Sequence, residues 1–211
     1  INFSDVEIQN VKTKVASFPW HEMPKDGGWS FGTNIDYMKN LADYWTKEYD
    51  WKSQEARLNQ FPNYKTKVDD LDIHFIIKKS SSPKAIPLIL IHGWPGSIVE
   101  FLEIIDPLCE PEKYGNDNEV CFDIIAPSIP GFAFSGKPEN PIGPRRIASI
   151  FNKLMTEKLG YKKYVAQGGD WGSAISTWLG FDHSKKCKGI HINMLPARHI
   201  DGPKTEEEKS W

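Results

Sequence analysis

Residues 167–173 read Gln167-Gly168-Gly169-Asp170-Trp171-Gly172-Ser173, with the apolar run Tyr164-Val165-Ala166 before them and Ala174-Ile175-Ser176-Thr177-Trp178-Leu179 after them. The first flank predicts a strand and the second a helix. A strand that turns at once into a helix, with glycine two residues before and two after the central side chain, is the pattern of a nucleophile elbow. The side chain lifted out of this one is Asp170, not a serine. A carboxylate at a helix N-terminus meets unpaired backbone N–H groups and the positive end of the helix dipole. Aspartate is ionised at neutral pH and can attack carbon directly, whereas serine needs a base to take its proton. Ser97, Ser128, Ser135 and Ser173 lack small residues on both sides at the required spacing, so none replaces it. A structural N-cap would also suit an aspartate here; the presence of both Gly168 and Gly172 favours the nucleophile.

A second motif, His92-Gly93-Trp94-Pro95-Gly96-Ser97, lies where the apolar run Ile86–Ile91 ends. In hydrolases with this kind of elbow, one oxyanion donor is the N–H of the residue after the nucleophile and the other comes from a loop after an earlier strand. The Trp171 and Trp94 amides are therefore the expected pair. His92 precedes the nucleophile, the wrong chain order for the base, and reads as a brace for the loop. Gly93, Gly168 and Gly172 complete the structural part of the motif.

Outward from these two motifs, residues 83–195 alternate strand and helix: strand 86–91, a helix opened by a Ser97–Glu100 capping box, continuing through Leu108 and ended by Pro107 and the glycine-containing loop, strand 120–126, a helix from Pro144 to a Gly160 stop, strand 162–167, the elbow and its helix, and strand 189–194. That alternation implies a mostly parallel sheet covered on both faces. His191, on the last strand, reads as a core histidine. Ser80-Ser81-Ser82-Pro83 is the best boundary candidate. Before it, Leu71, Ile73, Phe75 and Ile77 alternate with Asp72 and His74, predicting a half-exposed antiparallel strand with His74 facing solvent. Ile35, Met38, Leu41, Ala42 and Trp45 share one face of a helix capped by Thr33 and packed on a core. A short helix from Trp51 stops before Pro62, and residues 1 to about 30 read as irregular and aromatic-anchored. From Pro196, Thr205-Glu206-Glu207-Glu208 predicts the start of another helix.

Composition narrows the function classes. With 39% hydrophobic and 26% charged residues the chain of 211 residues is of ordinary globular character, and 26 Lys+Arg against 28 Asp+Glu give a net charge of -2. No field of this size attracts nucleic acid. Cys109, Cys121 and Cys187 lack paired spacing, which argues against a disulfide framework or a metal site, and no cofactor is indicated. No run is long enough to span a membrane, so the expectation is a cytoplasmic or otherwise soluble protein, anchored only if an N-terminal segment has been removed.

Five segments together resemble the microsomal and juvenile-hormone-type epoxide hydrolases of the α/β-hydrolase fold: Leu58-Asn59-Gln60-Phe61-Pro62 with Tyr64-Lys65-Thr66, Leu71-Asp72-Ile73-His74-Phe75, His92 to Ser97, Pro127-Ser128-Ile129-Pro130-Gly131-Phe132, and Gln167 to Ser173. The early segments separate that branch from haloalkane dehalogenases and from the soluble epoxide hydrolases. Ala133 departs from the family's usual glycine. The resemblance implies a three-layer α/β-hydrolase core, incomplete here, with an N-terminal helical and irregular extension. Residues 1–82 form the N-terminal region, 83–195 the first half of the core, and 196–211 the start of a cap. It implies that Asp170 opens a hydrophobic epoxide to an ester and that cap tyrosines protonate the oxygen. A histidine paired with an acid then activates water, and Trp94, Pro95, Phe132 and Trp171 line the substrate. His183, His191 and His199 are poor stand-ins for the base, so the missing C-terminal half of the same enzyme is the expected partner and the isolated chain is expected not to turn over. The alternatives are a haloalkane dehalogenase using the same aspartate and a catalytically incomplete, hydrolase-like binding module.

Overall fold

The computed structural model describes residues 1–22, 24, 27–116, 120–194 and 202–210. The expected cap start at Pro196, and His199, lie outside the described residues. The chain divides into two compact units, Ile1–Gln60 and Phe61–Trp211. The division falls before Ser80–Pro83 because the strands on either side of that link belong to one sheet.

The first unit contains three helices: α1 (Asp5–Ala16), α2 (Ile35–Lys47) and α3 (Trp51–Leu58). Helix α1 corrects the irregular reading of the N-terminus. Ser4 Oγ accepts the Glu7 N–H at 3.3 Å while the Glu7 carboxylate accepts the Ser4 N–H at 2.8 Å, a reciprocal capping box that nucleates the turn. In α2 the cap is Asn34, one residue after Thr33; its Oδ1 accepts the N–H groups of Asp36 and Tyr37. The apolar face of α2 lines a hollow of about 520 Å³ with Val15, Phe18 and Trp20, and no residue of α2 is buried, so the expected packed core is absent there. The chain start is tied to α3 by the Phe3 N–H donating to Glu55 Oε2 at 2.7 Å and by the Phe3 ring meeting Trp51 edge-on.

The second unit is built on a six-stranded sheet. Its strands are β1 (Asn63–Val68), β2 (Leu71–Lys78), β3 (Ile86–Ile91), β4 (Phe122–Pro127), β5 (Tyr164–Gly168) and β6 (Cys187–Ile192), in the order β1-β2-β4-β3-β5-β6. Strand β2 runs antiparallel to both neighbours, and β4, β3, β5 and β6 are mutually parallel. Helices α5 (Pro144–Lys153) and α6 (Trp171–Asp182) pack on one face, burying Ile147, Phe151, Ile175 and Leu179 against Ile73, Ile89 and Ile125. Helix α4 (Leu102–Cys109) lies by the other face and runs two residues past Pro107, which sits inside it. Arg145 fastens α5 to α6, with two nitrogens 2.7 and 2.9 Å from the Asp182 carboxylate and its guanidinium 4.4 Å from the centre of the Trp178 ring. A four-residue helix, α7 (Glu206–Lys209), is capped by Thr205 as the Thr205–Glu208 pattern predicts. Among the described residues, no helix is long and apolar enough to cross a membrane.

Two strand histidines depart from their expected settings. His191 is exposed, because β6 is the edge strand of the sheet. His74 is only 3% exposed, because β2 has partners on both sides and the segment after β4 closes over it. The Ser128 hydroxyl donates to its Nδ1 at 2.9 Å, and its Nε2–H donates to Asn63 Oδ1 at 2.9 Å. The His74 N–H in turn donates to Ser135 Oγ, whose hydroxyl donates to the Ser128 carbonyl. Burial, aided by the charge of Lys65, lowers the His74 pKa from 6.5 to about 4.

A histidine held neutral by burial stabilises the fold fully above its unfolded pKa, and this contribution is lost as the pH falls from 6.5 towards about 4. Denaturant titrations across that window are expected to show a loss of up to about 3 kcal/mol on the acid side, from 1.36 kcal/mol per pKa unit. The His74→Asn variant should be less stable near neutrality and should flatten that pH dependence.

Candidate active site

Strand β5 ends at Gly168 and α6 begins at Trp171, so the turn between them is only Gly169 and Asp170. Asp170 adopts φ 50°, ψ -122°, a conformation that side-chain-bearing residues rarely adopt. Glycine is required on both sides for different contacts. A Cβ on Gly168 would collide with the backbone of Gly172, and one on Gly172 would collide with the Ile91 carbonyl oxygen. The elbow is thus pressed against β3, and the β3–β5 register, with Ile91 opposite Gly168, brings the loop after β3 alongside it.

That loop places a backbone amide on the carboxylate. The Trp94 N–H donates to Asp170 Oδ1 at 2.8 Å. Gly93 leaves room for the carboxylate, since a Cβ there would lie 2.7 Å from Asp170 Cβ and 2.9 Å from its Oδ1. Trp171 is the first residue of α6, where an N–H has no intrahelical acceptor. Trp94 and Trp171 thus lie on the two segments that flank the carboxylate.

His92 is fully buried and has both ring nitrogens engaged. Its Nδ1–H donates to the Gly93 carbonyl at 2.9 Å and its Nε2 accepts the Ile129 N–H at 3.0 Å. Burial lowers its pKa, partly offset by the Gly93 bond. It therefore stays neutral and ties the loop after β3 to the segment after β4, with Phe132 edge-on to its ring at 5.5 Å. Trp94, Phe132 and Trp171 line an apolar cavity of about 390 Å³ together with Ile129, Pro138 and Ile142. Pro95 is exposed on the loop and is not among the residues lining that cavity.

Among the described residues, the histidines that follow Asp170 in the chain lie away from it. His183 caps the far end of α6, about 18 Å along the helix at 1.5 Å per residue. His191 lies beside Gln167 and lines a separate apolar hollow with Leu88 and Leu90. Among the described residues there is no grouping of three or more His, Cys, Asp or Glu side chains able to hold a metal.

Residues 1–101 match the family described as "Epoxide hydrolase N terminus" and residues 86–208 match the "alpha/beta hydrolase fold". The chain belongs to the epoxide hydrolase family. It is 38% identical to epoxide hydrolase 1 of Sus scrofa over 206 residues, which cover 95% of this chain and 45% of that protein. It is 39% identical to juvenile hormone epoxide hydrolase 1 of Ctenocephalides felis, covering 92% of this chain and 42% of the relative. The crystal structure of juvenile hormone epoxide hydrolase from the silkworm Bombyx mori superposes with a TM-score of 0.87 at 35% identity, over 96% of this chain and 48% of that one. The chain spans somewhat under half the length of these relatives. Membership in this family agrees with an α/β-hydrolase core whose elbow presents an aspartate.

One side chain near Asp170 departs from the setting its sequence predicts. Glu100 does not form the expected capping box: Ser97 Oγ accepts the Val99 N–H at 3.3 Å, within a 3-10 turn, Ile98–Phe101, that precedes α4. The Glu100 carboxylate turns back over the loop, and a Cβ on Gly96 would lie 2.7 Å from its Oε1. The available signal was its place four residues after Gly96, one helical turn on, which returns a side chain towards the loop.

The contact of Gly172 with Ile91 gives a direct test of the elbow. Gly172→Ala is expected to cost about 3 kcal/mol, the upper end for overpacking, because the opposing atom is strand backbone and cannot yield. Gly189→Ala, whose Cβ would meet Val165 at an ordinary 3.6 Å, should change the unfolding midpoint little. Parallel denaturant titrations of the two variants check this.

Proposed function

We propose that the chain contributes the nucleophilic half of an epoxide-opening site, with Asp170 as the nucleophile. The observation that carries this reading is the Trp94 N–H on Asp170 Oδ1 at 2.8 Å, on a turn that holds the aspartate at φ 50°. Oδ1 is occupied by the amide, so Oδ2 is the oxygen that attacks. It forms a bond to an epoxide carbon, the ring C–O bond breaks, and the ring oxygen leaves as an alkoxide that takes a proton from an acid or from water. The product is an ester of Asp170. Water attacking its carbonyl carbon then releases the diol, and the charge that gathers on Oδ1 falls where the Trp94 amide already points, with the Trp171 amide as second donor. Losing one such donor typically costs about 2.7–4 kcal/mol of barrier.

The cavity walls of Trp94, Ile129, Phe132, Ile142 and Trp171 are apolar, which favours a hydrophobic epoxide carrying an aromatic or aliphatic substituent. The epoxide hydrolase names of the relatives support the same substrate class. The resemblance to those enzymes assigns water activation to a histidine paired with an acid and ring-oxygen protonation to tyrosines.

Incubation with styrene oxide followed by peptide mapping by mass spectrometry is expected to find one epoxide mass added on the peptide bearing Asp170. Asp170→Asn should abolish that adduct while keeping the fold. An unmodified Asp170 in the native protein, or an adduct that persists in the Asn variant, would overturn the assignment.

A further inference from the structure

The turn before Asp170 carries a third glycine, Gly169, whose contact is made with neither β3 nor α6. The pairing of β5 with β6 sets Gly168 opposite Ile192, so the next residue of each strand, Gly169 and Asn193, leaves the sheet beside the other. The Asn193 N–H donates to the Gly168 carbonyl at 3.4 Å, and the Ser173 hydroxyl donates to the Met194 carbonyl, which fastens the chain leaving β6 to the elbow on either side of the Asn193 side chain. That side chain stands over Gly169. A Cβ on Gly169 would fall on Asn193 Oδ1, and the three atoms nearest to it all belong to the Asn193 carboxamide. Gly169 also adjoins the strained residue. Rotating the peptide plane between them changes the Gly169 ψ and the Asp170 φ together, and glycine opposes such a rotation with no side chain of its own. It is therefore the softest route by which Asp170 could leave φ 50° and carry its carboxylate away from the Trp94 amide. A strained conformation persists only where its surroundings over-determine it. On the helix side the Gly169 carbonyl accepts the Ser173 N–H at 3.2 Å; on the other side the Asn193 carboxamide fills the space above the Gly169 Cα.

We propose that Asn193 is a positioning residue for the Asp170 chemistry: its carboxamide, wedged over Gly169, blocks the peptide rotation that would release the elbow. The inference rests on the proposed role of Asp170 and adds to it the side chain that keeps its backbone from relaxing. The wedge acts by shape, so bulk in that space matters and the polarity of the carboxamide does not. A methyl group on residue 169 can supply the same bulk from the opposite direction once the carboxamide has gone, because nothing else lies closer to that position than an ordinary van der Waals contact. Asn193 is itself exposed, so truncating it opens no cavity in the core.

Three variants test this. With styrene oxide in excess, Asn193→Ala is expected to slow adduct formation at Asp170 by about 10–100-fold, the scale of a misplacement of about 1 Å at a reacting group. Asn193→Leu, which keeps the branched bulk without the amide, should react at close to the native rate. Adding Gly169→Ala to Asn193→Ala should regain most of what the single truncation loses, a rescue that follows only if the two side chains compete for one space. Hydrogen exchange gives a readout that does not depend on reactivity. Protection of the Ser173 N–H, which bonds the Gly169 and Asp170 carbonyls, should fall about tenfold in Asn193→Ala and return in the double variant, as local opening of the elbow requires. A native Ser173 protection in Asn193→Ala, an Asn193→Leu protein as impaired as Asn193→Ala, or a double variant no better than the single one would each overturn the proposal. If the native protein acquires no adduct while Ser173 protection follows the expected pattern, the role of Asp170 as nucleophile fails and the wedge stands.

Discussion

The approach of α6 to β3 at Gly172 sets the geometry of everything at the carboxyl end of the sheet. There is no room there for one methyl group between the helix and the Ile91 carbonyl. A helix that close to the neighbouring strand must begin immediately after β5, and the chain can turn that sharply only by forcing Asp170 to φ 50°. Such a conformation costs about 1–3 kcal/mol. Ile175 and Leu179, both fully buried where α6 meets the sheet, offset it, since burying each such side chain is worth about 1.5–3 kcal/mol. The strain at the aspartate is therefore sustained by the packing of the helix that follows it.

The same closeness brings three loops together. The parallel register of β3 and β5 places the loop after β3 beside the elbow, and β4, on the other side of β3, delivers Ile129 and Phe132. His92 joins the last two through its two ring nitrogens. It can do so only as the neutral tautomer with hydrogen on Nδ1, because Nε2 must accept the Ile129 N–H. A protonated His92 would have two donors where the site offers one donor and one acceptor. Burial, which disfavours the charge, and this bonding pattern act in the same direction.

The elbow and its donor loop were legible in the sequence because their geometry is written locally, in glycines whose absent side chains make room for particular neighbours. The parallel core was legible because strands buried on both faces read as continuous apolar runs, as in Ile86–Ile91. The misreadings have distinct physical origins. Helix α1 buries none of its residues, so it shows no clear apolar stripe, and its only firm signal was the Ser4–Glu7 cap. His74 alternates with apolar residues as a solvent-facing residue would, but its burial comes from Ser128 and Ser135, more than fifty residues away in the chain. Glu100 fits a local capping pattern, but its carboxylate lies back over Gly96 and Ser97 caps Val99 instead. Ala133 stands at φ 42°, in the left-handed region that favours glycine.

A carboxylate nucleophile divides the labour of the proposed reaction between its two oxygens, and the loop amide decides which does what. With the Trp94 N–H on Oδ1, negative charge is better stabilised there, and Oδ2 is left as the freer, more nucleophilic oxygen. Once Oδ2 is alkylated, Oδ1 becomes the carbonyl oxygen of the ester, and the hydrogen bond that steered the attack polarises that carbonyl towards water. One fixed donor thus serves both half-reactions with no rearrangement, which is the advantage of a preorganised amide over solvent. Opening the ring needs only the aspartate and a proton for the departing oxygen, whereas hydrolysing the ester needs a base aimed at the opposite side of its carbonyl. The residues assembled around Asp170 serve the first of these steps in the proposed reaction by orienting the carboxylate, and they lie on β3, β5 and the segments that leave their carboxyl ends.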